Sequence, residues 1–247
     1  MRGLWLSAGI LLAWAASGAL WLVDGSALPP VLLVLALLLR THLQTGLFIV
    51  AHDAMHGSLL PGSRPWNDRL GRCALWLYAA LPWETCRRNH HRHHRHPASP
   101  RDPDHHARSD HGLAWYGRFM AAYLSPVQLG SLIACWLIGL LLVSGLTPHP
   151  LTNLLLFGIL PLWLSSLQLF VFGTYLPHRR CGSADRHHAT TLALPRTLSL
   201  LACYHFGYHW EHHDAPDLPW FALPDRHRSI TERALMPAWL ALPQASR

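Results

Sequence analysis

Four apolar runs, residues 4–23, 28–50, 129–146 and 151–172, dominate this sequence. Each approaches the ~20 residues that a helix needs to cross a bilayer. Asp24-Gly25-Ser26 separates the first pair and Thr147-Pro148-His149-Pro150 the second, so each pair reads as a tight transmembrane hairpin. Two hairpins leave the termini and both large loops on one side of the membrane. The arginines point the same way: neither turn holds one, whereas Arg2 and the segments 51–128 and 173–247 hold all of them except Arg40. Arginine-rich loops stay in the cytoplasm. The expected fold class is therefore all-α integral membrane, with four transmembrane helices as two hairpins and a cytoplasmic helical cap. A cleaved signal peptide over residues 1–25 is the competing reading, but the stretch is long for one and cleavage would break the parity.

Composition agrees. The chain is 51% hydrophobic and 13% charged, about half the charge of an ordinary soluble domain. With no internal repeat and no long Gly/Ser linker, residues 1–247 read as a single domain. All 20 basic residues are Arg, giving a net charge of +7; with this hydropathy the expected partner is membrane lipid, through anionic headgroups, and not nucleic acid. The five cysteines, Cys181 among them, form no CxxC pair and are expected as reduced thiols without a disulfide framework. Arg40 falls inside the second run, where a charge is costly unless it faces protein or reaches the interface; protrusion of the helix from the membrane there would relieve it. A helix starting near Pro29 would carry His52 and His56 out of the bilayer on its last turns. Two shorter aromatic-rich segments, 73–83 and 113–124, read as interfacial helices or as core helices of the cap.

The 20 histidines are clustered. His52 and His56 form HxxxH, which on a helix places two imidazoles on one face. His90, His93 and His94 form HxxHH, and so do His209, His212 and His213, over a hundred residues away. Alone, the first could be two core histidines and the second a basic, phosphate-binding run; the repeated spacing just outside predicted spans makes metal ligation the better reading. The boxes supply eight imidazoles, four for each of two metals. Imidazole suits Zn, Cu, Fe and Ni alike. A structural zinc site uses half as many ligands, usually with Cys, and Glu211 sits too close to His209 for the HExxH of a zinc protease. Two irons that activate dioxygen account best for the number of ligands. Asp53, Asp102, Asp104, Glu211 and Asp214 are candidates to orient ligating imidazoles from behind, although a surface or capping role fits each equally well.

These boxes around two hairpins resemble the membrane fatty acid desaturase and hydroxylase superfamily. Within it, GLFIVAHDAMHGS (46–58), SLQLFVFGTYLPHR (166–179), CYHFGYHWEHH (203–213) and Asp102-Pro103-Asp104 look like the prokaryotic β-carotene ketolases. The resemblance covers residues 40 to 225 or so. It implies a bacterial-type cytoplasmic membrane and oxidation of C4 of a β-ionone ring to a ketone. It also implies two Fe ions, dioxygen as co-substrate and an external electron-donor protein such as ferredoxin. The implied ligands are His52, His56, His90, His93, His94, His209, His212 and His213, with His178 of the LPHR string as a ninth. The expected substrate is a carotenoid or other lipid-soluble molecule, held in a pocket between spans and cap. A fatty acyl desaturase or hydroxylase would use the same boxes. A metal-binding or metal-transport membrane protein is the reading from another class, but transporters place polar ligands near the midplane of their spans.

Overall fold

The computed structural model describes residues 1–179 and 185–235; Cys181 lies outside them. All regular structure among the described residues is helical. In chain order the helices are α1 (Arg2–Leu22), α2 (Pro30–His56), α3 (Arg64–Ala79), α4 (Trp83–Arg95), α5 (Gly112–Tyr123), α6 (Pro126–Val143), α7 (Pro150–His178), α8 (Arg196–Cys203), α9 (His209–Asp214) and α10 (Leu223–Leu235). By length and composition α1, α2, α6 and α7 can cross a membrane. Their outward side chains, such as Leu35, Leu38, Ile138 and Leu141, are exposed, as lipid-facing residues are.

The longest helices have legible ends. Pro30 opens α2, where its missing N–H costs nothing, and Gly57 closes it in the left-handed region at φ 78°. Its 27 residues span about 40 Å, more than the ~30 Å hydrocarbon core, and its last turns carry His52 and His56. At the start of α6 the Ser125 hydroxyl accepts from the Gln128 backbone N–H at 3.2 Å. α7 is longer than its apolar run and continues to His178. It contains two π-helical turns, Leu155–Ile159 and Val171–Tyr175. Pro161 and Pro177 follow them, each lacking the N–H that would bond the carbonyl four residues earlier.

The first of these freed carbonyls explains Arg40. Phe157 O accepts from Arg40 Nε at 3.1 Å and from Trp21 Nε1 at 3.3 Å. Arg40 Nη1 donates to Trp14 O at 2.6 Å and Ser17 Oγ at 2.5 Å, and the guanidinium lies 4.7 Å over the Trp14 ring. Arg40 is thus buried among α1, α2 and α7, where two backbone carbonyls and the Ser17 hydroxyl accept from it.

α2 is the central element, packed on α1, α3 and α7. Leu47, Ile49, Val50, Ala51, Ala54 and Met55 of its C-terminal half join Ala74, Leu75, Trp83 and Cys86 in the core. The approach of α3 is close at Gly71, where an added Cβ would lie 2.1 Å from the Trp83 ring and 2.8 Å from Ala54 Cβ. The segment 73–83 is not one helix: α3 begins at Arg64 and stops at Ala79, and Ala80 turns left-handed at φ 51° before Trp83 opens α4. Arg64, Arg69 and Arg72 make the first half of α3 polar, so the apolar run marks only its second half. α5 falls where 113–124 predicts it.

Candidate metal centre

Three helices and one helix end deliver the histidines. α2 brings His52 and His56, α4 brings His90, His93 and His94, α9 brings His209, His212 and His213, and the last turn of α7 brings His178. They gather in two adjacent groups. In the first, one ring nitrogen from each of His52, His56, His90, His94 and His212 lies within 4.8 Å of all the others; in the second, the same holds for His93, His178, His209 and His213. Helical spacing underlies the division. In each HxxHH the i and i+4 histidines, about 40° apart around the axis, enter one group. The i+3 histidine, rotated to the other side, enters the other. His90 and His94 thus join the first group while His93 joins the second, and His209 and His213 join the second while His212 joins the first. An even division of eight imidazoles is not what the fold makes; His178 completes a set of five and four.

The Nε2 atoms face one another. His56 and His90 meet at 2.6 Å, His94 and His212 at 2.9 Å, and His52 and His212 at 3.1 Å. In the second group His213 lies 3.1 Å from both His93 and His209. His178 turns its Nδ1–H to the His188 carbonyl at 2.6 Å, which leaves a buried, unpartnered Nε2 aimed into the group. Burial first, and neighbouring imidazoles second, hold His90, His94, His212 and His213 well below the ordinary histidine range. His209 is held there too, by burial and by His178. Neutral imidazoles with converging lone pairs are the form that ligates a metal, so the donor set fits two imidazole-bound iron ions.

Behind His93, Nδ1 lies 2.9 Å from Asp102 Oδ2. The backbone N–H groups of Ala98 and Asp104 also donate to Asp102, at 3.0 and 2.9 Å. Burial alone would lower His93, yet the Asp102 and Asp104 carboxylates outweigh it and hold the imidazole above its usual range. Asp104, buried beside Asp102, is pushed up to about 6 and accepts from Tyr123 Oη at 2.6 Å. Asp53 sits 3.4 Å from His52 Nδ1 and accepts from the Trp220 N–H at 3.1 Å. Glu211 corrects an expectation. Its carboxylate meets Thr191 Oγ1 and His227 Nδ1, each at 2.6 Å, and none of the nine histidines, because two residues along α9 from His209 it points to the far side. Asp214 likewise pairs with Arg186 and Arg226. Tyr123, His188 and Trp220 escape sequence reasoning, since each reaches its partner at the site across ten residues or more with no local motif.

An apolar cavity of about 240 Å³ lies between α2, α3, α5, α6 and α7, with Trp136 and Trp163 in its wall. A narrower one of about 40 Å³ shares Phe48, Phe119, Tyr123 and Leu169 with it and touches His52, His90, His93 and His209. Four helices long and apolar enough to cross a membrane, nine converging imidazoles and an apolar approach are the features of a membrane protein with a candidate histidine-rich metal centre.

A profile described as fatty acid desaturase matches residues 26–145 and 127–241. A protein named beta-carotene ketolase from Paracoccus sp. (strain PC1) is 43% identical over 241 residues, 93% of each chain. A second of that name, from Paracoccus sp. (strain N81106 / MBIC 01143), is 43% identical over 231 residues, 89% of each. A zeaxanthin 4-ketolase from Chlamydomonas reinhardtii is 38% identical over 200 residues, 79% of this chain and 44% of that one. The chain belongs to the fatty acid desaturase family.

Proposed function

We propose that this protein is a di-iron membrane oxygenase that introduces a keto group at C4 of the β-ionone ring of β-carotene. The carrying observation is the pair of histidine groups at the inner end of an apolar cavity; the identity to ketolases over nearly the whole chain supports the substrate. His52, His56, His90, His94 and His212 would hold one iron, and His93, His178, His209 and His213 the other. Bound irons supply the activation of dioxygen, with electrons from an external donor such as ferredoxin. Overall, two dioxygen molecules, four electrons and four protons convert the C4 methylene to a ketone and three waters.

The protein's own groups position. Asp102 accepts from His93 and Asp53 lies beside His52, which fixes each ring's orientation and leaves Nε2 for metal. The His188 carbonyl does the same for His178. Phe48, Phe119 and Leu169 line the neck between cavity and histidines, so a ring reaching the site is wrapped in apolar surface that excludes water. The chain is read as one domain of two transmembrane hairpins, with termini and histidines cytoplasmic. The arginine distribution supports that orientation.

The test is pigment analysis, by chromatography and visible absorption, of a β-carotene-producing bacterial host expressing the full chain. Mono- or diketo-carotenoid is the expected product. Unchanged β-carotene, with iron-loaded protein present in the membrane, would overturn the proposal in favour of fatty acyl desaturation or hydroxylation.

A further inference from the structure

A third cavity, about 390 Å³, lies among α1, α2, α3, α6 and α7. It shares Tyr78, Leu132, Trp136 and Leu162 with the apolar cavity beside the histidines, so the two meet at one wall. At about 240 Å³ the nearer cavity falls below the ~300–1,000 Å³ of pockets for drug-sized ligands, and a forty-carbon polyene with a ring at each end is larger than those. A substrate with one ring at the histidines must send the rest of its length elsewhere. Arg40 and His52 are twelve residues apart on α2, about 18 Å along the axis, so the third cavity extends in the required direction.

The cavity is not uniformly apolar. Arg40 lines it and is 6% exposed. Its Nε and Nη1 are bonded to the protein, whereas Nη2 has no hydrogen-bond partner and Arg40 no ion pair among the described residues. An ionisable side chain within a membrane-length helix that lines a cavity is by default a candidate for a functional role, beside the structural bonds that Arg40 makes.

We propose that this cavity receives the far end of the substrate and that Arg40 Nη2 donates to an oxygen carried there. The inference rests on the carotenoid reading. It has a chemical consequence for a two-ringed substrate. After the first ring is oxidised, the molecule must re-enter reversed for the second, and its new ketone then lies at the far end. A hydrogen-bond donor at that end favours the half-oxidised molecule, or one hydroxylated on the far ring, over the hydrocarbon.

Two variants of the full-length protein, assayed in membranes with a reducing system, test this. The substrates are β-carotene, its monoketo derivative and a one-ringed apocarotenoid about half as long. A Cβ at Gly18, in the cavity wall, meets nothing within 4 Å, so Gly18→Phe fills space without a backbone clash. It is expected to lower the ratio of two-ringed to one-ringed turnover roughly tenfold, and Arg40→Met to lower the ratio of monoketone to β-carotene turnover by a similar factor. If both ratios equal those of the wild type, the cavity holds bilayer lipid and the proposal fails. Wild-type protein that oxidises no carotenoid overturns the functional reading instead, a result seen before any variant is made.

Discussion

His93 leaves its own box to join His209 and His213, and His212 leaves its own to join histidines of the first two boxes, so each ties sequence motifs together. Replacing either by Ala is expected to remove iron and oxidation together, a loss beyond the roughly 10–100-fold that a supporting partner contributes. Iron content and pigment conversion measure it, and retained activity in His212→Ala would refute the ligand assignment. His91→Ala and His187→Ala should change little, because His91 meets the Met55 carbonyl and His187 lies beside Asp214. Asp102→Asn keeps the size but not the charge behind His93, and is expected to weaken iron affinity or activity about 10–100-fold. The depressed imidazoles also predict a pH dependence. Unfolded, His90, His94, His209, His212 and His213 titrate near 6.5; folded and metal-free they stay neutral well below that. Under acid the unfolded state therefore binds more protons, so stability is full above pH 6.5 and declines as pH falls, by at most about 1.4 kcal/mol per unit per histidine. His93, raised by its carboxylates, opposes the trend by one group. Thermal unfolding of metal-free protein in detergent at about pH 8 and pH 5.5 checks the sign, and equal midpoints would contradict it.

At the scale of elements, the close contact of α3 with α2 depends on a residue without a side chain. Gly71→Ala forces the Trp83 ring or α3 to move and is expected to cost about 1–3 kcal/mol, read as a lower unfolding midpoint in detergent. Hydropathy marks the four long helices, since a bilayer-length apolar run has few other solutions. It marks only the second half of α3, because the first half is arginine-rich, and it does not mark the end of α7. That helix outruns its apolar segment to deliver His178. The resemblance to the ketolase LPHR string, not hydropathy, singles that residue out. The interior prolines of α7, Pro161 and Pro177, are visible in sequence, but which partner takes the carbonyl freed before Pro161 is not. Arg40 reaches it from more than a hundred residues away.

For the whole molecule, the expected topology puts residue 107 and residue 144 on opposite sides of the membrane. Single cysteines Ala107→Cys and Ser144→Cys, in a background with the five native cysteines replaced, should react with an impermeant thiol reagent from the cytoplasmic and the opposite face respectively. Labelling of both from one face would refute the hairpin arrangement. The sequence by itself determined that the chain has four membrane-length apolar helices. It also determined that eight box imidazoles are presented in i, i+3, i+4 sets, because hydropathy and helical periodicity act over neighbouring residues. Only the tertiary structure decided how those imidazoles divide, five with three, and that His178 joins the three. It also decided that Asp102 rather than Glu211 supports them, and that an apolar path leads from the spans to their centre. Each of these depends on which faces of α2, α4, α7 and α9 meet. That meeting is set by packing between segments up to 160 residues apart, which no local pattern encodes.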